Sequence, residues 1–124
     1  MGEGRGSAIV ATVLLFCLLL HCDTAHATTY AVGGAKGWTL DVVGWPYGKR
    51  FMAGDILVFN YNAAAHDVVS VNKVGYNTCT MPRGASKVYH TGKDQIKLVK
   101  GQNFFICSFP GHCQSGMKIA ITAM

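Results

Sequence analysis

The sequence is poor in charge and poorer still in acid. Only 14% of its 124 residues are charged, and six acidic residues face eleven basic ones. Half of the residues are hydrophobic, which excludes a disordered or low-complexity chain. Prolines number three, and no Pro/Ser-rich stalk or linker divides the chain, so the length allows one domain. No internal repeat is present, and no stretch carries the period of a convincing amphipathic helix, which argues against a helical bundle. The one near-sequon, Asn77-Thr78-Cys79, lacks Ser or Thr at its third position, so N-glycosylation is not expected.

One long apolar run is present. Residues 8–20 are apolar apart from Thr12, with Arg5 just before them. These 13 residues fall short of the roughly 20 that a transmembrane helix needs, and they suit the core of a secretory signal. Ala25-His26-Ala27 supplies a small-x-small cleavage pattern, so residues 1–27 are expected to be removed and residues 28–124 to form the mature domain. No second such run follows, and residues 117–124 are short and alternating, so no stable membrane anchor is expected. The expected location is extracellular.

Five cysteines cannot all pair within one chain. Cys17 and Cys22 leave with the signal, and Cys79, Cys107 and Cys113 remain in a 97-residue domain with ten basic and four acidic residues, net charge +6. Export permits disulfides, so three cysteines mean one bridge and one leftover thiol.

The residue classes favour strands. Strands are expected at residues 29–32, 55–61, 67–72, 95–99, 103–107 and 117–122, where β-branched and aromatic residues run between Gly-rich turns. Residues 95–99 and 117–122 alternate apolar and polar, as half-buried strands do, and residues 103–107 are nearly all apolar, as a core strand would be. One helical turn fits residues 76–81. The expected fold is all-β, a sandwich with at most short helical turns. Trp38, Trp45 and Phe59 are core candidates; Met52, Met81 and Met124 read as packing or surface, and His90 as a loop histidine.

The densest chemical signal is Phe104-Phe-Ile-Cys-Ser-Phe-Pro-Gly-His-Cys-Gln-Ser-Gly-Met117. Cys107, His112 and Met117 are spaced by five and five. A strand ending at Cys107, a turn at Pro110-Gly111 and a strand resuming at Met117 can converge three side chains on one point. His66, in a loop between two strands, supplies a second imidazole. Two His, one Cys and a weak axial Met make up the blue-copper donor set. Thiolate and thioether suit Cu(I), and imidazole tolerates both oxidation states; zinc would favour harder donors and would not use the Met. The leftover thiol is then a ligand, and Cys79 and Cys113 are left to pair, a bridge worth about 3–4 kcal/mol by chain entropy. The rival assignment pairs Cys79 with Cys107 and gives His112 and Met117 no purpose. Phe109 and Pro110 either rim the metal edge beside His112 or shape the loop.

These residues resemble the phytocyanins, plant relatives of the blue copper proteins, and in particular the plantacyanin or basic blue branch. The resemblance covers residues 28–124 and runs through Val32-Gly-Gly-Ala-Lys-Gly-Trp38, Phe51-Met-Ala-Gly-Asp-Ile-Leu-Val-Phe-Asn-Tyr61, His66-Asp-Val-Val and Cys107-Ser-Phe-Pro-Gly-His-Cys-Gln-Ser-Gly-Met117. It implies a Greek-key, cupredoxin-like β-sandwich, one copper ion cycling between Cu(II) and Cu(I) on His66, Cys107, His112 and Met117, and a Cys79–Cys113 disulfide. Met117 separates the chain from stellacyanin-like relatives, which carry Gln there. The missing Pro-rich tail separates it from anchored members. Asp67 stands where many relatives have Asn, and its charge bears on the potential.

The expected function is a secreted one-electron carrier. Four ligands leave no open position for substrate, so an enzyme is not expected. The resemblance also implies a second reading: an extracellular signalling or cell-wall matrix protein, for example in pollen tube guidance or reproduction, with copper redox secondary. No nucleic-acid motif and no aromatic interleaving accompany the positive charge, so nucleic acid is not an expected partner. The expected partners are an acidic redox protein and acidic wall polysaccharide, drawn by steering that salt weakens, and the protein is expected to be a monomer.

Overall fold

The computed structural model describes residues 26–124. The apolar core of the expected signal peptide, Cys17 and Cys22 lie outside the described residues. Seven strands form in chain order: β1 (Thr29–Ala31), β2 (Ile56–Asn60), β3 (Val68–Val71), β4 (Lys87–Tyr89), β5 (Lys93–Lys97), β6 (Gly101–Ile106) and β7 (Lys118–Ala123). A 3-10 turn at Gly34–Lys36 and one short helix, α1 (Lys73–Thr78), interrupt them. No helix among the described residues is long and apolar enough to cross a membrane.

The strands form two sheets. One has the order β1-β2-β5 and the other β4-β3-β6-β7. β1 and β2 are parallel, and every other strand pair is antiparallel. A parallel pair needs a crossover, and residues 32–55 supply it as irregular chain. That chain is not idle: Val32, Trp38, Val42 and Phe51 are all buried against the inner faces of the sheets. The two sheets enclose a core in which Trp38, Phe59 of β2 and Phe105 of β6 contact in series, with ring centroids 5.1 and 5.2 Å apart.

Strand patterning follows from how many faces are covered. Along β7, Ile119, Ile121 and Ala123 are buried while Ala120 and Thr122 face out. β3 and the 104–106 end of β6 carry apolar residues on both faces because both faces are covered there. Val68 and Phe105 point into the main core, and Val69, Val71 and Ile106 point the other way into a second cluster with Tyr76, Cys79, Phe104 and Cys113. α1 covers that second face. Its first turn is capped by the Asn72 side chain, which accepts the Gly75 N–H at 2.9 Å. Gly75 has no room for a side chain: a Cβ there would lie 2.8 Å from both the Thr80 carbonyl oxygen and the Val71 Cβ.

The expected strands are all present, with ends moved by one or two residues. The 95–99 strand starts earlier, at Lys93, because buried Asp94 extends its alternation. The helical turn expected at 76–81 starts at Lys73, set by the Asn72 cap, and ends at Cys79, whose φ of 54° is left-handed. β4 was not expected; its Lys87-Val88-Tyr89 is short and mostly exposed, as edge strands are. Trp38 and Phe59 are fully buried, Trp45 is half-buried against the same core, and Met52, Met81 and Met124 are exposed.

Truncating the central aromatic tests this packing. Phe59→Ala should lower the unfolding free energy by about 3–5 kcal/mol in denaturant titration. A loss below about 1 kcal/mol would mean that the core does not close on this ring.

Candidate metal centre

One end of the sandwich gathers the donors. After β2 the chain turns at Asn62, whose side chain accepts the Ala64 N–H and whose carbonyl accepts the N–H groups of Ala65 and His66. This turn sets His66 just ahead of β3. Cys107 follows β6, and its N–H donates to the Met117 carbonyl at 3.0 Å, so the two ends of the 107–117 segment meet. Inside that segment the chain winds in tight turns. The His112 carbonyl accepts from both Ser115 and Met117, and the His112 N–H donates to Phe109. Gly116 takes φ 82°, and a Cβ there would approach the Asp41 Cα to 3.2 Å. The Asp41-Val42-Val43 backbone bonds to Ser115 and Gly116 and clasps the segment from outside.

The result is a cluster. Ligand atoms of His66, Cys107 and His112 all lie within 4.8 Å of one another. The two imidazole Nδ1 atoms are 3.1 Å apart, and the Cys107 Sγ is 3.5 Å from the His112 Nδ1. Cys107 and Met117 are buried, whereas both histidines reach partway to solvent. Met117 is 0% exposed, and its backbone bonds directly to both Cys107 and His112. His90 is exposed and takes no part in the cluster.

Cys79 and Cys113 form the disulfide, with Cα atoms 5.7 Å apart, and Cys107 is the free thiol among the described residues. The rival Cys79–Cys107 pairing is thereby excluded. The bridge joins the residue after His112 to the end of α1, so the ligand loop is tied to the layer that covers β3 and β6.

A second tie was not legible beforehand. The buried Asp67 carboxylate accepts the Ser108 N–H at 2.7 Å and also accepts the Ser108 hydroxyl. The Asp67 carbonyl accepts the indole N–H of Trp38 at 2.8 Å. The residue after His66 is thus locked to the residue after Cys107. The only sequence signal was a short polar residue following each ligand. Phe109 stacks on His112 at 5.8 Å with 22° between the rings, and it also packs on the main core, so it both shapes the loop and borders the imidazole. Pro110 and Gly111 beside it are exposed.

Burial disfavours charge on these groups before any metal binds. It pushes the Cys107 thiol up from its ordinary range; the Asp67 carboxylate adds to this, and the backbone N–H groups of Asp67 and Phe109 oppose it. It pushes His66 down, with the neighbouring His112 in the same direction and Asp67 against. The set fits copper: two imidazoles, one thiol that a metal would deprotonate, and a buried thioether. It fits zinc poorly, since the Met would be wasted.

A two-sheet β-sandwich with a Cys–His–His cluster and a buried Met at one end defines the cupredoxin class of single-metal proteins. The comparisons narrow the class. The plastocyanin-like domain family matches residues 37–117. The basic blue protein of Arabidopsis thaliana is 55% identical over 130 residues, covering 100% of both chains. The chemocyanin of Lilium longiflorum is 52% identical over 126 residues, covering 99% of each. The structure of cucumber basic protein, a blue copper protein, superposes with a TM-score of 0.77 at 62% identity, over 78% of this chain and 100% of that one. This chain belongs to the plastocyanin-like family, in its phytocyanin branch beside the basic blue proteins.

Two outcomes test the site's construction in metal-free protein. Asp67→Ala leaves the Ser108 N–H without its acceptor and should cost about 1–3 kcal/mol in urea unfolding; Asp67→Asn keeps one acceptor oxygen and should cost less. In an NMR titration His66 should protonate below the ordinary histidine range. The unfolded chain then takes up that proton first, so this contribution to stability is present at neutral pH and lost as pH falls through the lowered pKa. A His66 titrating above the ordinary range would contradict this.

Proposed function

We propose that this protein is a secreted one-electron carrier whose single copper ion is held by His66, Cys107, His112 and Met117. The observation that carries the proposal is the convergence of His66, Cys107 and His112 within 4.8 Å at one end of the sandwich. Copper bound there would supply Cu(II)/Cu(I) chemistry. The chain's own contribution is to fix the donors and exclude water. Cys107 and Met117 come from positions that the core buries, so the sulfur donors are shielded. The Asp67–Ser108 clamp and the Cys79–Cys113 bridge hold the two ligand segments in register. Donors so held would shift little between the two oxidation states of a bound copper.

His112 is the contact for electrons. It is half-exposed, and Pro110 and Gly111 next to it are open to solvent. Four protein donors leave no vacant position for a substrate, so the protein acts as a carrier and not as an enzyme. The signal-like residues 1–27 and the disulfide support an extracellular role, and the cationic surface supports an acidic redox partner.

Absorption spectroscopy tests the reading. Protein loaded with Cu(II) should be intensely blue, and Met117→Gln should lower the reduction potential, since a thioether donor would favour Cu(I) more than an amide oxygen. A colourless protein at full copper occupancy would sink the ligand assignment. An unchanged potential in the variant would remove Met117 from the donor set.

A further inference from the structure

Among the described residues, acidic side chains are nearly absent from the surface. Of the four aspartates in the described residues, Asp55, Asp67 and Asp94 are 2%, 6% and 4% exposed. Each is consumed internally. Asp55 accepts the N–H groups of Thr28 and Met52; Asp67 holds Ser108; Asp94 holds Thr91 and Tyr61. Asp41 alone is exposed. Nine of the ten Lys and Arg side chains are exposed, and Lys118 is half-exposed. The described residues therefore present to solvent almost only positive charge.

That charge meets a groove. β7 is the edge strand of the four-stranded sheet, and its outward residues Ala120 and Thr122 form the floor of a groove of about 320 Å³. Val43, Tyr47, Lys49 and Tyr76 wall it. Lys49, Phe51 and Thr122 also line an adjoining hollow of about 540 Å³, together with Arg50 and Met52. No aspartate or glutamate lines either part. Tyr47 is 84% exposed, far more than packing explains for so large a ring. Lys49 Nζ is held 5.0 Å over the Trp45 ring and donates to the Trp45 carbonyl, which fixes the ammonium at the wall with donors to spare. Lys118 sits 4.3 Å over the Tyr76 ring at the other end.

We propose that this groove binds an acidic polysaccharide, a polymer of uronate sugars, along the outer face of β7. The Tyr47 face offers the flat apolar platform on which a sugar ring's C–H face stacks. Arg50 offers a carboxylate a two-pronged hydrogen bond, and Lys49 offers a point charge beside it. Thr122 adds a hydroxyl for the sugar hydroxyls. A rigid duplex would also meet the charge, but it has no exposed ring to lay on a lone tyrosine, and the disulfide points to an oxidising compartment. Neither His112 nor its exposed neighbours Pro110 and Gly111 line either part of the groove. The inference uses the extracellular placement proposed above and is independent of the copper.

Binding to polygalacturonate, its methyl-esterified form, polyglutamate and duplex DNA tests this, at low and at physiological salt. Polygalacturonate should bind, more weakly as salt rises, and the uncharged ester should not. Lys49→Gln with Arg50→Gln, and separately Tyr47→Ala, should each weaken binding roughly five- to tenfold. The control Lys36→Gln with Lys93→Gln removes the same charge away from the groove and should leave binding nearly unchanged. An equal loss in both double variants would overturn the site. So would polyglutamate or DNA binding as tightly as polygalacturonate, or indifference to Tyr47→Ala. The spectrum of the copper-loaded variants reads the metal centre separately, so failure of one reading does not mask the other.

Discussion

The hydrogen bond from the Cys107 N–H to the Met117 carbonyl closes the segment on which the rest of the site depends. Nine residues lie between these two positions in the sequence. Closing them puts a thiol and a thioether at adjacent strand ends and forces the intervening chain into turns. His112 emerges from those turns, and its carbonyl accepts from Met117, so the middle of the loop is tied to its end. Tight turns of this kind need glycine at left-handed positions, and Gly116 provides one beneath Asp41.

A closed loop is still only a loop, and two further restraints make it a site. Cys113, one residue beyond His112, is bridged to Cys79 at the end of α1. Asp67, one residue beyond His66, is clamped to Ser108, one residue beyond Cys107. In each case the neighbour does the holding, while the ligand nitrogens and sulfur contact one another. This division of labour leaves the imidazole nitrogens and the sulfur free for a metal while their backbones are fixed.

The same economy of acid shapes the outside. A domain of this size has few carboxylates, and three of its four serve as internal hydrogen-bond acceptors for backbone N–H groups that turns leave unpaired. The basic side chains, too long and too strongly hydrated to bury, remain at the surface. Strong positive charge is thus in part a consequence of how the turns are satisfied, and it is available to recruit anionic partners.

Much of this was legible in the sequence because it depends on period and spacing. Alternation marked β7 and much of β5, and a nearly continuous apolar run marked β6. The five-and-five spacing of Cys107, His112 and Met117 is a local property, and with His66 it singled out the donors before any fold was known. The leftover thiol followed from cysteine parity. What sequence could not supply were the contacts between residues far apart. The Asp67–Ser108 clamp spans 41 residues and the Trp38–Asp67 bond 29. β4 is too short and too polar to carry a period, and it exists as a strand because β3 offers it an edge. The sequence by itself determined which side chains are chemically able to meet. Only the tertiary structure decided that they do meet, which acids are hidden and where the cations gather. Those outcomes depend on two sheets closing over one core, and no local pattern encodes that closure.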